Sequence, residues 1–338
     1  MERQNSTWVF NHKPRIISAS TVGGPLEASG QIKDDFDLLY EDMRLNEDSF
    51  EKAQQRMLEE SATHAIVKAN LTNEDIDCFI AGDLINQLTP TNQAASTIDT
   101  PYLGLFSACA TITESLAIGA MLCNHGHANY VLSGASSHNS AAERQFRFPT
   151  EYGAQKPPTS QCTVTGAGCA VIGQHGNGPQ ITSATIGKVI DKGITDPFNM
   201  GGAMAPAAVD TITAHLQDLN IDASHYDVIL TGDLGKVGRE VSLDMLYDQG
   251  IKIEETRYQD CGLTIYTEDQ PVHAGASGPA CCAVVTFGHF LKKLRSGELN
   301  KIHVVATGAL HSPLSINQQQ SIPCIAHAIA IENERDAS

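Results

Sequence analysis

The chain has 338 residues, 41% of them hydrophobic and 18% charged, a balance that builds a well-buried globular protein and argues against disorder. Its formal net charge is −17 and its isoelectric point is near 5.1, which makes it a poor binder of nucleic-acid phosphates and disfavours direct docking on anionic lipid. At about 150 residues per domain the length fits two domain-sized units or one large duplicated one.

The opening MERQNSTWVF lacks the apolar stretch of a secretory signal, and no uninterrupted apolar run approaches the roughly 18 residues of a membrane span. A soluble chain is expected, with any membrane link peripheral. The run PRIISASTVG (14–23) reads as a first strand, and the charged segment 34–58 as a helical cover for one edge. SATHAIVKANL (61–71) is helical and leads into the strand IDCFIAGDL (76–84). GLFSACATITESLAIG (104–119) reads as a strand turning into a small-residue helix near Ser107, followed by the strand NYVLSGAS (129–136). Segment 138–162 looks like a long insertion, and CTVTGAGCAVIGQ (162–174) closes this half as a strand.

The same sequence of elements then recurs. PQITSATIGKVI (179–190) opens as a strand, PAAVDTITAHLQDLN (206–220) is helical, and YDVILTGDL (226–234) is a strand ending like IDCFIAGDL. Asp77 matches Asp227, Gly82 matches Gly232 and Asp83 matches Asp233, each 150 residues apart. A second small-residue helix starts near Ser277, before the strands HVVATGAL (303–310) and PCIAHAIAIE (323–332). Each half therefore reads strand–helix–strand–helix–strand–strand, with halves 1–176 and 177–338 meeting near Gly176–Pro179. Alternating strands and helices imply an α/β protein, and nearly continuous apolar strands imply sheets covered on both faces.

The nine cysteines are odd in number, form no C-x-x-C pair and sit among small or apolar neighbours, so a reducing compartment with buried thiols is expected. Cys109 stands out because the first turn of a helix favours thiolate. A nucleophile there needs a histidine, and His273 and His311 both lie near turns where strands end, the edge at which α/β folds bind ligands. Taken singly, a cysteine among Ala and Ser is more often a packed core residue, and a lone histidine a satisfied polar one.

Two similar α/β halves, a cysteine opening the first long helix and a GASG turn opening its counterpart resemble the thiolase superfamily. AERQFRFPTEYGAQKPPT and TVTGAGCAVIG are similar to a sporulation-protein branch of it found in spore-forming bacteria. The resemblance implies a five-layered αβαβα fold, a homodimer, and no condensing activity. It further implies a protein at the spore inner membrane that binds dipicolinic acid (pyridine-2,6-dicarboxylate), as the free acid or its calcium chelate, and takes part in moving it alongside integral membrane partners. Departures from the enzyme pattern agree: TGDLGKVGRE carries no Asn or His, His273 stands one residue too close to its GASG turn, and TGALHSP offers His311 and Ser312 where thiolases place a second cysteine.

A flat dianion needs N–H donors, hydroxyls and cations. The helix start at Cys109, the strand-end residues Ser136, Ser137 and His138, the loop residue Lys236, and Arg144 with Arg147 are the candidates, beside His273 and His311. The arginines read equally well as an interface or a surface ion pair, Lys236 as a solvated loop residue and the serines as ordinary strand-end hydroxyls. No cofactor is expected, and no EF-hand-like loop supports a dedicated calcium site. An acyl-transferring enzyme with Cys109 as nucleophile and a purely structural subunit are the alternatives.

Overall fold

The computed structural model describes residues 5–147 and 155–334, so 148–154, within the expected insertion, lie outside the described residues. The strands are β1 (Thr7–Val9), β2 (Arg15–Gly23), β3 (Leu38–Leu39), β4 (Cys78–Gly82), β5 (Tyr102–Gly104), β6 (Tyr130–Ser137), β7 (Cys162–Thr163), β8 (Gly166–Gly173), β9 (Gln180–Ile186), β10 (Val228–Thr231), β11 (Tyr258–Asp260), β12 (Ala276–Ser277), β13 (Lys301–Ala309) and β14 (Cys324–Glu332). The helices that matter here are α1 (Phe50–Lys68), α2 (Thr89–Ile98), α3 (Thr111–Asn124), α4 (Asn139–Phe146), α5 (Met200–Leu219), α6 (Gly235–Asp248), α7 and α8. Helix α7 starts at Pro279–Val284 and continues through a π-helical turn, Val285–Phe290, into Leu291–Ser296, while α8 is the short Pro313–Asn317.

The strand order β11-β10-β13-β14-β9-β2-β8-β6-β4-β5 reads outward from its centre as two matching series, β2-β8-β6-β4-β5 and β9-β14-β13-β10-β11. In each, the inner pairs are antiparallel and the outer three strands parallel. The two series meet in register at only one pair, Arg15 with Gln180.

Three apolar cores separate five layers. Between the two sheet halves, Ile112 and Leu116 of α3 and Val285 and Phe290 of α7 pack with strand residues of both, such as Ile172, Val304 and Ile329. Outside the first half, α1 and α2 cover β2, β4, β6 and β8 through Met57, Leu58 and Ile98; outside the second, α5 covers β13 and β14 through Val209, Ile212 and Leu216. This is the α/β, five-layered αβαβα arrangement expected from the sequence.

The repeated aspartates explain part of the match. Asp77 Oδ2 accepts from the Asn129 and Tyr130 amides, and Asp227 Oδ2 from the Asn300 and Lys301 amides, so each pins the start of the neighbouring strand. The six-element reading of each half was incomplete. A helix and a three-residue edge strand, α2 with β5 and α6 with β11, intervene in each half, and strands that short carry no periodicity. Helix α1 starts only at Phe50, where Ser49 accepts from the Lys52 amide, so the charged stretch 34–49 is not part of it.

Two glycines clear a path for the turn that carries Cys109. A Cβ on Gly82 would lie 1.8 Å from the Leu105 carbonyl oxygen, and one on Gly308 would lie 2.4 Å from that of Ser107. Any side chain there would push the turn away from both sheet halves.

In the second half, His215 and His303 stack with ring centroids 3.9 Å apart, both fully buried. His215 bonds Thr185 Oγ1 and the Tyr226 hydroxyl, each at 2.7 Å, whereas neither ring nitrogen of His303 has a partner. Burial, helped by nearby His225, pushes His215 down to about 4, and burial with His215 beside it pushes His303 well below the usual range. The unfolded chain takes up these protons near pH 6.5 and the folded chain does not, so stability falls as pH drops from about 7 toward 4. Urea unfolding of wild type and His303→Phe at pH 7 and pH 5 tests this; the variant should lose less stability on acidification.

Candidate functional site

The turn after β5 brings Cys109 to the floor of a cavity of about 530 Å³. Ala108 takes a left-handed backbone conformation, φ 50°, which costs a non-glycine residue about 1–2 kcal/mol and is held in place by the surrounding packing. Asp233 lies beside Cys109 on the loop after β10, with Ser277 and Gly278 at the entry to α7. One wall is a single face of α4, formed by Ala142, Glu143 and Phe146, with Arg147 at its C-cap. Phe198, Met200 and Met204 line the cavity at and before the start of α5, and His311, Ser312 and Ser315 around the start of α8. Phe106, 56% exposed, also lines it.

The Cys109 thiol lies beside the Asp233 carboxylate, close enough for the two groups to shift each other's protonation. Cys109 is partly exposed where it lines the cavity, and the interior packed around it disfavours its charged form. That burial, followed by the charge and acceptor of Asp233, raises its pKa well above the usual thiol range. The expected helix-start activation of Cys109 is therefore overridden: a first turn offers partial charges, whereas burial and a neighbouring carboxylate act together against thiolate.

Asp233 is itself 1% exposed, and burial first, then the nearby Asp260, pushes its pKa up to about 7 despite the donors around it. Thr307 Oγ1 donates to Oδ1 at 3.0 Å and the Gly278 amide to Oδ2 at 3.1 Å. Asp260 holds the loop, accepting from the Leu234 amide at 2.8 Å and the Gly235 amide at 3.0 Å.

On α4, Glu143 Oε1 accepts from Arg147 Nη1 at 2.5 Å and from Lys156 Nζ at 2.8 Å. The Arg147 guanidinium sits 5.5 Å from the centre of the Phe198 ring, and the Phe146 and His311 rings are 5.7 Å apart. Burial lowers the His311 pKa, so that ring is neutral at pH 7.

Of the residues expected from the sequence, the structure brings Cys109, His311 and Arg147 to one cavity. Ser136 Oγ accepts from Gln54 Nε2, Ser137 Oγ donates to the Val164 carbonyl, and His138 caps α4 through Nδ1 while Nε2 meets the Met43 carbonyl; all three fix the end of β6 rather than line the cavity. Arg144, one residue off the inward face of α4, is 53% exposed and pairs with Glu51. Lys236 and His273 are exposed and outside the cavity, although the Lys236 amide donates to the Ala274 carbonyl at 2.8 Å. Asp233 was visible only as a repeat position, and its counterpart Asp83 does something else: it receives the Ile85 amide and the Thr91 amide and hydroxyl at the entry to α2. Among the described residues no group of three or more His, Cys, Asp or Glu side chains is arranged to hold a metal ion.

Removing the Asp233 charge should release the thiol. In Asp233→Asn, Cys109 should be alkylated by iodoacetamide at pH 8 severalfold faster than in wild type, read by mass spectrometry of its peptide. Equal rates would mean that burial alone controls the thiol.

The family model described as Stage V sporulation protein AD matches residues 4–332. Stage V sporulation protein AD of Bacillus subtilis (strain 168) is 51% identical over 332 residues, 98% of each chain. Among solved structures, 3-oxoacyl-[acyl-carrier-protein] synthase III from Aquifex aeolicus aligns with TM-score 0.59 at 11% identity, over 95% of this chain and all of that one. Human mitochondrial 3-ketoacyl-CoA thiolase gives 0.60 at 11% over 96% and 100% of the two chains, and Xanthomonas campestris OleA 0.60 at 13% over 96% and 99%. These likenesses establish the fold alone. The chain belongs to the stage V sporulation protein AD family, a sporulation family built on the thiolase-like fold.

Proposed function

We propose that this sporulation protein is a non-condensing binder of dipicolinic acid and that the Cys109 cavity is its site. The observation that carries the reading is Arg147, a guanidinium in the wall of a largely apolar cavity whose floor holds a thiol kept protonated by burial and by Asp233. A charge-assisted pair with Arg147 suits one ligand carboxylate, and the Phe146 and Phe198 rings suit a flat aromatic body. The cavity's size falls within the range of small-molecule sites. Against condensation stand the Cys109 thiol, whose pKa burial and Asp233 raise, and His273, which is exposed and outside the cavity.

The family likeness supports placing the chain at the spore inner membrane, held there by integral membrane proteins of the assembly that moves this acid. No helix among the described residues is long and apolar enough to cross a membrane, so partners would supply the attachment. The outer edge of β5, with Leu103 and Phe106 exposed, suits pairing with a second copy in a homodimer. A second reading, acyl transfer through Cys109, is favoured by the apolar lining. It predicts turnover of acyl-CoA that Cys109→Ala abolishes, whereas a binder shows none.

Titration calorimetry tests the proposal. Pyridine-2,6-dicarboxylate should bind saturably and pyridine-3,5-dicarboxylate should not. Arg147→Gln should weaken the 2,6 isomer roughly ten- to a hundredfold, the loss of one charged hydrogen-bonded contact. Affinity should also fall as pH rises from 6 to 8, because Asp233, with its pKa pushed up to about 7, ionises across that range and repels a ligand that stays dianionic. No binding of either isomer at millimolar concentration would remove the proposal as a property of this chain alone.

A further inference from the structure

The wall of α4 presents a carboxylate as well as a cation. Glu143 and Arg147 sit four residues apart on the inward face, and both line the cavity. Lys156, from the segment that follows, pairs with Glu143 without itself lining the cavity. The three side chains are only 15–18% exposed, which weakens solvent screening of their charges. Both cations meet a single oxygen, Glu143 Oε1, at 2.5 and 2.8 Å. One negative charge thus faces two positive ones, and the cluster keeps a net positive charge beside an apolar space.

That arrangement bears on how a carboxylate enters. A ligand carboxylate approaching Arg147 meets a cation already paired with an internal carboxylate, so it must share that cation or displace Glu143. The surplus charge makes the exchange favourable, and Glu143 lowers the gain.

We propose that Glu143 is a built-in competitor for ligand carboxylate, setting the affinity of the cavity by holding Arg147 and Lys156 until a ligand takes them. The inference rests on the reading of the cavity as a carboxylate site and extends it to aromatic carboxylates generally. Glutamine at position 143 keeps the volume and a hydrogen-bond acceptor while removing the charge. It should therefore free both cations without opening a hole in the wall.

The experiment is calorimetric titration of wild type, Glu143→Gln and Lys156→Gln with pyridine-2,6-dicarboxylate and separately with benzoate, with thermal unfolding as the folding control. Glu143→Gln should bind both ligands roughly tenfold tighter than wild type, with a steeper loss of affinity on adding salt. Lys156→Gln, which removes one cation and leaves Glu143 in place, should bind more weakly and gives a readout even where the Glu143 variant folds poorly. Unchanged or weaker binding by folded Glu143→Gln would overturn the inference, since Glu143 would then only position Arg147, while wild-type binding of the 2,6 isomer would leave the dipicolinate reading standing. Benzoate binding to Glu143→Gln, with no 2,6-dicarboxylate binding to wild type, would uphold the competitor and sink the dipicolinate reading. Failure of every protein to bind either ligand would overturn both.

Discussion

A buried carboxylate joins four segments that are distant in the chain. Asp233 receives Thr307 from β13 and the Gly278 amide from the start of α7, lies beside the Cys109 thiol of the turn before α3, and accepts at its backbone carbonyl from Gln161 Nε2. Removing a carboxylate from water is costly unless it is satisfied by donors, and here each donor comes from a different element. The satisfaction of one charge thus fixes the relative positions of both sheet halves around the cavity. The remaining strain appears as a proton affinity far above that of an ordinary aspartate.

The cavity places a carboxylate where it bears directly on the character of the thiol. A nucleophilic thiol needs a base and free oxyanion donors, and Asp233 changes both conditions. Its charge favours S–H over thiolate, and it accepts from the Gly278 amide at the cavity wall. The walls meanwhile keep an apolar character broken by one ion cluster on α4.

The repeat made much of the architecture legible. Matching Gly-Asp strand ends located β4 and β10, and the two small-residue helices located α3 and α7, because apolar periodicity survives in long elements. The three-residue strands β5 and β11 left no such pattern. The cavity was half visible: Cys109 and His311 stand at strand-to-helix transitions, where ligand sites gather. Arg144 and Arg147 could not be separated by composition, and only the helical phase of α4 turns one outward to Glu51 and the other inward. Asp83 and Asp233 illustrate the limit most clearly. Identical positions in the repeat received different partners, since what surrounds a strand end is set by distant segments.

Helix α3 packs on β6 and β8 of its own half and on β13 and β14 of the other. The cavity correspondingly draws on residues from Leu84 to Ile316. During synthesis the first half can gather around α1, but its central helix has one face without its final neighbours until the last strands leave the ribosome. The cavity is thus among the last features to exist in each new molecule, and a chain truncated before β13 would carry Cys109 without the walls that give the thiol its character.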